Sequence, residues 1–292
     1  MRGIALGLVC ALGLALPAQA QLRAQDGLAA LDAGDVAGAV AIWQPLAARG
    51  DAFAQVNLGV LALQGQGGLR PDQAEGFLTA AAEQGQAQAQ MLLADQAIGR
   101  QDWANARRWF GAAAALGGAQ AQLMAGLLAD QGLGGPVDRV QAEAWFRASA
   151  ETLPKAQLAL GRLLTETGAL SEAALWLERA ALAGLPEAQF DLGTALADGA
   201  GLAPDPAAAR GWYLRAARAG HAGAARNLSL MQARGQGGAQ SFRAALAWAY
   251  LAGDEGADLV DALTEVMDAD AQAAARVLSH SCRAPDLDPA CE

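Results

Sequence analysis

Residues 188–220, AQFDLGTALADGAGLAPDPAAARGWYLRAARAG, decide the fold of this chain. Ala188 and Leu192-Gly193 stand four apart, which places small and apolar residues on one face of a helix. A glycine in mid-helix weakens that helix, so Gly193 needs a packing reason, and close approach of a neighbouring helix supplies one. Gly199-Ala-Gly201 reads as a turn. Asp205 is a capping residue, and Pro206 after it suits the first helical position. Ala209 and Trp212 then lead a second helix that ends before Gly220. The unit is helix, glycine-rich turn, helix, with no strand pattern.

The same marks recur along the chain. Phe77, Trp109, Trp145, Trp176, Trp212 and Trp248 are spaced by 32, 36, 31, 36 and 36 residues. An alanine precedes each by three: Ala74, Ala106, Ala142, Ala173, Ala209 and Ala245. Eight residues after each comes Gly85, Gly117, Leu153, Gly184, Gly220 or Gly256. A small-residue column lies earlier in each unit: Ala54 with Leu58-Gly59, Ala89 with Leu93-Ala94, Ala121 with Ala125-Gly126, Ala156 with Leu160-Gly161, and Ala224 with Leu228-Ser229. Gly65-Gln-Gly67, Gly132-Leu-Gly134 and Gly235-Gln-Gly237 repeat the turn. Asp102 and Asp138 repeat the cap, Asp138 forms a capping-box pattern with Gln141, and Asp72 and Ser171 take the cap two residues later.

A unit this small cannot bury its own apolar face, so neighbours must stack. The expected fold is all-α: an α-solenoid, a right-handed superhelix of six repeats over 51–256. A partial repeat at 21–50 carries Asp35 as a cap and Trp43 near the marker position. Residues 257–292 hold a capping helix, about 258–280, and a tail. The aromatic ladder is expected to be buried against the small-residue column, so truncating Trp145, Trp176 or Trp212 should cost about 3–5 kcal/mol.

The first twenty residues have the layout of a secretory signal peptide. Arg2 is followed by an apolar run from Ile4 to Leu16, and Ala18-Gln-Ala20 precedes a cut before Gln21. The run is shorter than the roughly 20 residues a spanning helix needs. Val9 before Cys10 does not fit a lipoprotein signal. Export, to the periplasm or alternatively into the medium, and no membrane insertion after cleavage are the expectations. The full chain carries a net charge of −10, and losing Arg2 makes it −11. That balance argues against nucleic acid and anionic membranes, and favours neutral or basic partners. Cys282 and Cys291 remain in the mature chain and read as one disulfide in an oxidising compartment. Such a bond would fasten the end of the capping helix. The competing reading is a metal site with His280, which lacks a fourth ligand.

The repeat resembles the Sel1-like repeat family, relatives of the tetratricopeptide repeat. Ala188, Leu192, Gly193, Gly199, Gly201, Asp205, Ala209, Trp212 and Gly220 match its pattern, and the resemblance covers about 50–256. The second and fourth units depart from it. Gly99-Arg-Gln-Asp102 and Gly168-Ala-Leu-Ser171 shorten the turn, and the family's first-helix tyrosine is replaced by Ala62, Ala97, Ala129, Leu164, Leu196 and Gln232. The resemblance implies a protein or peptide partner held on a concave side lined by the first helices. Some periplasmic members hold a sensor kinase inactive, which makes a regulatory inhibitor the alternative function. Others are linked to β-lactam chemistry, the second alternative.

No catalytic pattern accompanies the repeat, so the chain reads as a non-enzyme without cofactor. The mature chain has His221, His280 and one lysine, Lys155. No serine has lysine three residues on, and Thr152 reaches Lys155 only across Leu153-Pro154. The G-x-G turns lack the preceding strand and following lysine of a phosphate loop. Two first-helix columns bear on binding. Asn57, Leu92, Met124, Ala159, Asp191 and Asn227 vary, as a specificity-setting row or a merely solvated one would. Gln55, Gln90, Gln122, Gln157 and Gln189 hardly vary and lie near the packed face. They read as structural, with the amides bonding across units.

Overall fold

A computed structural model of the chain describes residues 18–283 and 288–291. Residues 1–17, which hold most of the expected signal peptide, lie outside the described residues. No strand occurs among those described. The chain divides into two compact units, the first running to Ala148 and the second beginning at Ser149.

The first unit is a series of helical hairpins. The partial repeat expected at 21–50 is a complete hairpin, α1 (Ala18–Asp32) and α2 (Val36–Ala47). Asp35 caps α2 by accepting from the Gly38 amide at 2.8 Å, and Trp43 is fully buried with its indole donating to Ala24 O at 3.0 Å. Next come α3 (Ala52–Leu63) with α4 (Pro71–Glu83), α5 (Ala87–Gly99) with α6 (Trp103–Ala115), and α7 (Ala119–Asp130) with α8 (Arg139–Ala150). From α1 to α7 each helix packs on the next in chain order.

The second unit continues the pattern with α9 (Pro154–Glu166) and α10 (Leu170–Leu182), α11 (Pro186–Asp198) and α12 (Pro206–Arg218), and α13 (Ala222–Arg234) and α14 (Phe242–Leu251). These too pack in order. The expected single capping helix is two, α15 (Ala257–Val266) and α16 (Ala269–Ser281), both packed on α14. Met267 is extended between them (φ −108°, ψ 139°), and Asp268 restarts the chain by capping the Ala271 amide at 2.8 Å. In these two helices Leu263 and Leu278 are buried, whereas Val266 and Val277 are exposed.

The mid-helix glycines do have a packing reason, and it lies one residue beyond the aromatic ladder. A Cβ at Gly59, Gly126, Gly161 or Gly193 would strike Leu78, Phe146, Leu177 or Tyr213. Each of these is buried and stands one residue after the ladder position. Trp109 and Trp248 are buried, but Phe77, Trp145, Trp176 and Trp212 are only half-buried. The cause is helical phase: a residue four after the marker alanine shares its face, and one three after lies on the flank. Arginines cover three of the flanking rings. The guanidinium of Arg108 lies 4.4 Å from the Trp109 ring, Arg179 4.6 Å from Trp176 and Arg215 4.4 Å from Trp212.

The caps divide similarly. Asp102, Asp138 and Asp205 accept from the Asn105, Gln141 and Ala208 amides. The Asp138–Gln141 box is half-formed, because the Asp138 amide donates to Ala129 O instead. Asp72 and Ser171 do not stand at the caps, which fall at Arg70 and Ala169. The helices begin earlier, at Pro71 and Leu170, because proline is pre-set for a first turn and the shortened link ends at Ala169.

Candidate functional site

The glutamine column is the inter-repeat fastener. The side-chain amides of Gln55, Gln90, Gln122, Gln157 and Gln189 donate to Ala47 O, Ala82 O, Ala114 O, Ala150 O and Ala181 O, at 2.8–3.4 Å. Each acceptor lies in the last turn of the preceding repeat's second helix, or just past it, where backbone carbonyls lack helical partners. The column is therefore occupied by structure rather than offered to a ligand. Further ties join neighbouring repeats. Arg107 and Arg210 donate to Pro136 O at 2.8 Å and Ala239 O at 3.2 Å in the turn of the following repeat.

The residues of the varied column have different surroundings. Asn57 is half-buried and donates to Phe53 O of its own helix at 2.8 Å. Leu92 and Met124 are half-buried apolar residues packed against the first unit's core. In the second unit Ala159 is half-buried, Asp191 meets Arg162 at 2.6 Å, and Asn227 lines a groove.

That groove, about 260 Å³, lies in the second unit. Ala197 and Asp198 of α11, Pro206 and Tyr213 of α12, and Asn227, Leu230, Met231 and Arg234 of α13 surround it, with Gln236 at its edge. Tyr213 faces it from α12 because the ring fills the notch left by Gly193. Its hydroxyl is 3.0 Å from Thr194 Oγ1 and also hydrogen-bonds Asn227. Burial pushes the Tyr213 phenol above its usual pKa, the hydrogen bonds to Thr194 and Asn227 oppose the shift, and the charges of Asp198 and Asp191 add to it. Phe190 stacks on His221 at 4.5 Å and tilts against Tyr213 at 5.8 Å. His221 Nδ1 accepts from the Ala224 amide at 3.1 Å, so this imidazole caps α13. The wall is thus an apolar floor with a phenol, an amide and, at the rim, one carboxylate and one guanidinium. It offers hydrogen bonds and shape, with no nucleophile–base pair.

Of these residues the sequence singled out only Asn227 as binding. Tyr213 sits beside the ladder tryptophan and carries no periodic mark of its own beyond its phase. Asp198, Leu230, Met231 and Arg234 read as ordinary helix residues. Among the described residues no three of His, Cys, Asp and Glu gather as a metal site. His280 is exposed, whereas Cys282 and Cys291 are fully buried, face each other and have Cα atoms 5.5 Å apart. No helix among the described residues is long and apolar enough to cross a membrane.

The fold defines a helical repeat protein, an all-α solenoid. The Sel1 repeat family matches residues 52–86, 119–151, 154–185, 186–221 and 222–256, more than half of the chain, and the chain belongs to it. Residues 87–118 fall outside these matches, yet α5 and α6 form the same hairpin through the shortened turn. Among solved structures the chain is similar to c5321, a protective antigen present in uropathogenic Escherichia coli strains that displays an SLR fold. The TM-score is 0.72 and the identity 26%, over 90% of this chain and 60% of that one. It thus spans about three-fifths of the length of that protein. A Sel1 repeat protein from Oxalobacter formigenes is similar with TM-score 0.50 and 25% identity, over 80% of this chain and 85% of that one. No curated protein matches the chain in sequence. Sel1 repeat proteins generally serve as protein-interaction scaffolds.

Proposed function

We propose that this chain is an exported, periplasmic scaffold that binds a protein partner through the groove between α11 and α13, without catalysis. The groove carries the reading. At about 260 Å³ it is smaller than the roughly 300–1,000 Å³ of small-molecule and cofactor pockets, and suits one or two side chains of a protein segment. Its apolar floor takes an aliphatic or aromatic anchor. Asn227 offers hydrogen bonds to a backbone, and the acidic balance of the chain favours a basic segment around that anchor. The leader pattern supports export.

The test is crosslinking in the native compartment with a photoreactive residue at position 230. A specific partner should be captured. Leu230→Glu, introduced with the probe moved to Gln236, should abolish capture, while the exposed-face control Leu182→Glu should leave it intact. Equal capture by both variants, or none by the unmodified groove, overturns the reading.

A further inference from the structure

The groove-lining helix α13 is held from behind by the C-terminal residues. Asn227, Leu230, Met231 and Arg234 face the groove, whereas Leu228, Ser229 and Gln232 are buried behind them. The Gln232 side-chain amide donates to Cys291 O at 2.7 Å, and the indole of Trp248, on α14, donates to the same oxygen at 2.9 Å. One carbonyl, using both lone pairs, therefore ties α13 to α14. Gln232, Trp248, Cys282 and Cys291 are all fully buried. Beyond α13 and α14 the described repeats give way to α15 and α16, which pack on α14, and Pro289–Cys291 packs on α14 and α16 beside them.

We propose that Cys282 and Cys291 form a redox-dependent strap that sets the rigidity of the groove through α13. This rests on the reading of the groove as the binding site. Cys282 is the C-cap that directly follows α16, so a bond from it to Cys291 tethers the strap to a helix already packed on α14. With the bond open, only non-covalent contacts retain the strap, and its departure breaks the bonds that the buried Gln232 amide and Trp248 indole make to the Cys291 carbonyl. Opening requires a dithiol. One of its thiolates attacks a strap sulfur, the S–S bond breaks and a mixed disulfide forms. The second thiolate then releases the protein thiol. The chain gains two electrons and two protons, and the reductant leaves as its own disulfide. Because both sulfurs are buried, attack waits for the strap to lift, so the strap is reduced more slowly than an exposed disulfide.

Hydrogen exchange on the full-length folded protein, before and after dithiothreitol, tests this without any partner. The amides of Leu228–Arg234 should exchange at least tenfold faster after reduction, and those of α9 and α10 should not change. Trp248→Phe, left oxidised, keeps the ring and removes one donor, and should raise exchange in the same stretch. Exchange in α13 that is unchanged in both experiments overturns the strap, as does full α13 protection in a protein isolated with two free thiols. A strap that responds as described in a protein whose groove captures nothing would overturn the proposed function alone.

Discussion

Tyr213 shows how much one side chain carries in this fold. Its ring occupies the space a Cβ would take at Gly193, its edge meets Phe190, and its hydroxyl reaches Thr194 and Asn227. The same burial that makes it a good floor for the groove raises its pKa. The sign of the pH effect follows. The unfolded chain releases this proton near pH 10, while the folded chain holds it to higher pH. The stabilisation is thus complete below about pH 10 and is lost as pH rises through the folded value. Tyr213→Phe should cost about 1 kcal/mol at neutral pH for the lost hydroxyl bonds, and should flatten the decline in stability above about pH 10. Urea unfolding on both sides of that pH measures it. A variant that declines as steeply as the parent would assign the alkaline transition to another group.

At the scale of elements, the G-x-G turn does two jobs that its pattern alone does not separate. Gly134, Gly201 and Gly237 hold φ of +75°, +78° and +70°, a region that disfavours side chains. They also press on the backbone where the preceding repeat's second helix begins, at Trp103, Leu170 and Pro206. In the shortened turns the second job disappears. Gly168 keeps φ at +85° with open space around it, and Gln101 tolerates +59° in the equivalent place. Gly168→Ala should therefore cost about 1–2 kcal/mol for backbone strain alone. Gly134→Ala adds a collision with a backbone carbonyl that cannot swing away, and should cost about 3–4 kcal/mol. Thermal or denaturant unfolding of the pair decides whether close approach matters. Equal costs would show that the repeats separate easily at that turn.

At the scale of the whole molecule, the proposed export rests on the leader pattern and the terminal cysteines, and both can be tested. The protein recovered from the periplasm of an expressing Gram-negative cell should begin at Gln21. Its intact mass under non-reducing conditions should fall two hydrogens short of the reduced mass, for a Cys282–Cys291 bond. A mass that retains Met1–Ala20, or a mature chain with two free thiols, would remove the case for an oxidising destination.

The repeat was legible in the sequence because each mark answers a local demand: a small residue where helices touch, a glycine where φ is positive, an aspartate where amides need a cap. Those demands recur every 31–36 residues and name the family, the all-α class and the glutamine fasteners. What local demand leaves open, the tertiary structure decided. Marking the tryptophans located the second helices, but only packing showed that the next residue, not the tryptophan, fills the glycine notch. The varied column looked like one surface on a helical wheel. Folding tied Asn57 to its own helix and Asp191 to Arg162, and left Asn227 facing a groove whose other walls come from α11 and α12. Cys291 and Gln232 are 59 residues apart, and no periodicity links them. Their contact exists because folding sets one carbonyl against two buried donors on α13 and α14, an arrangement that appears only when those helices are already in place.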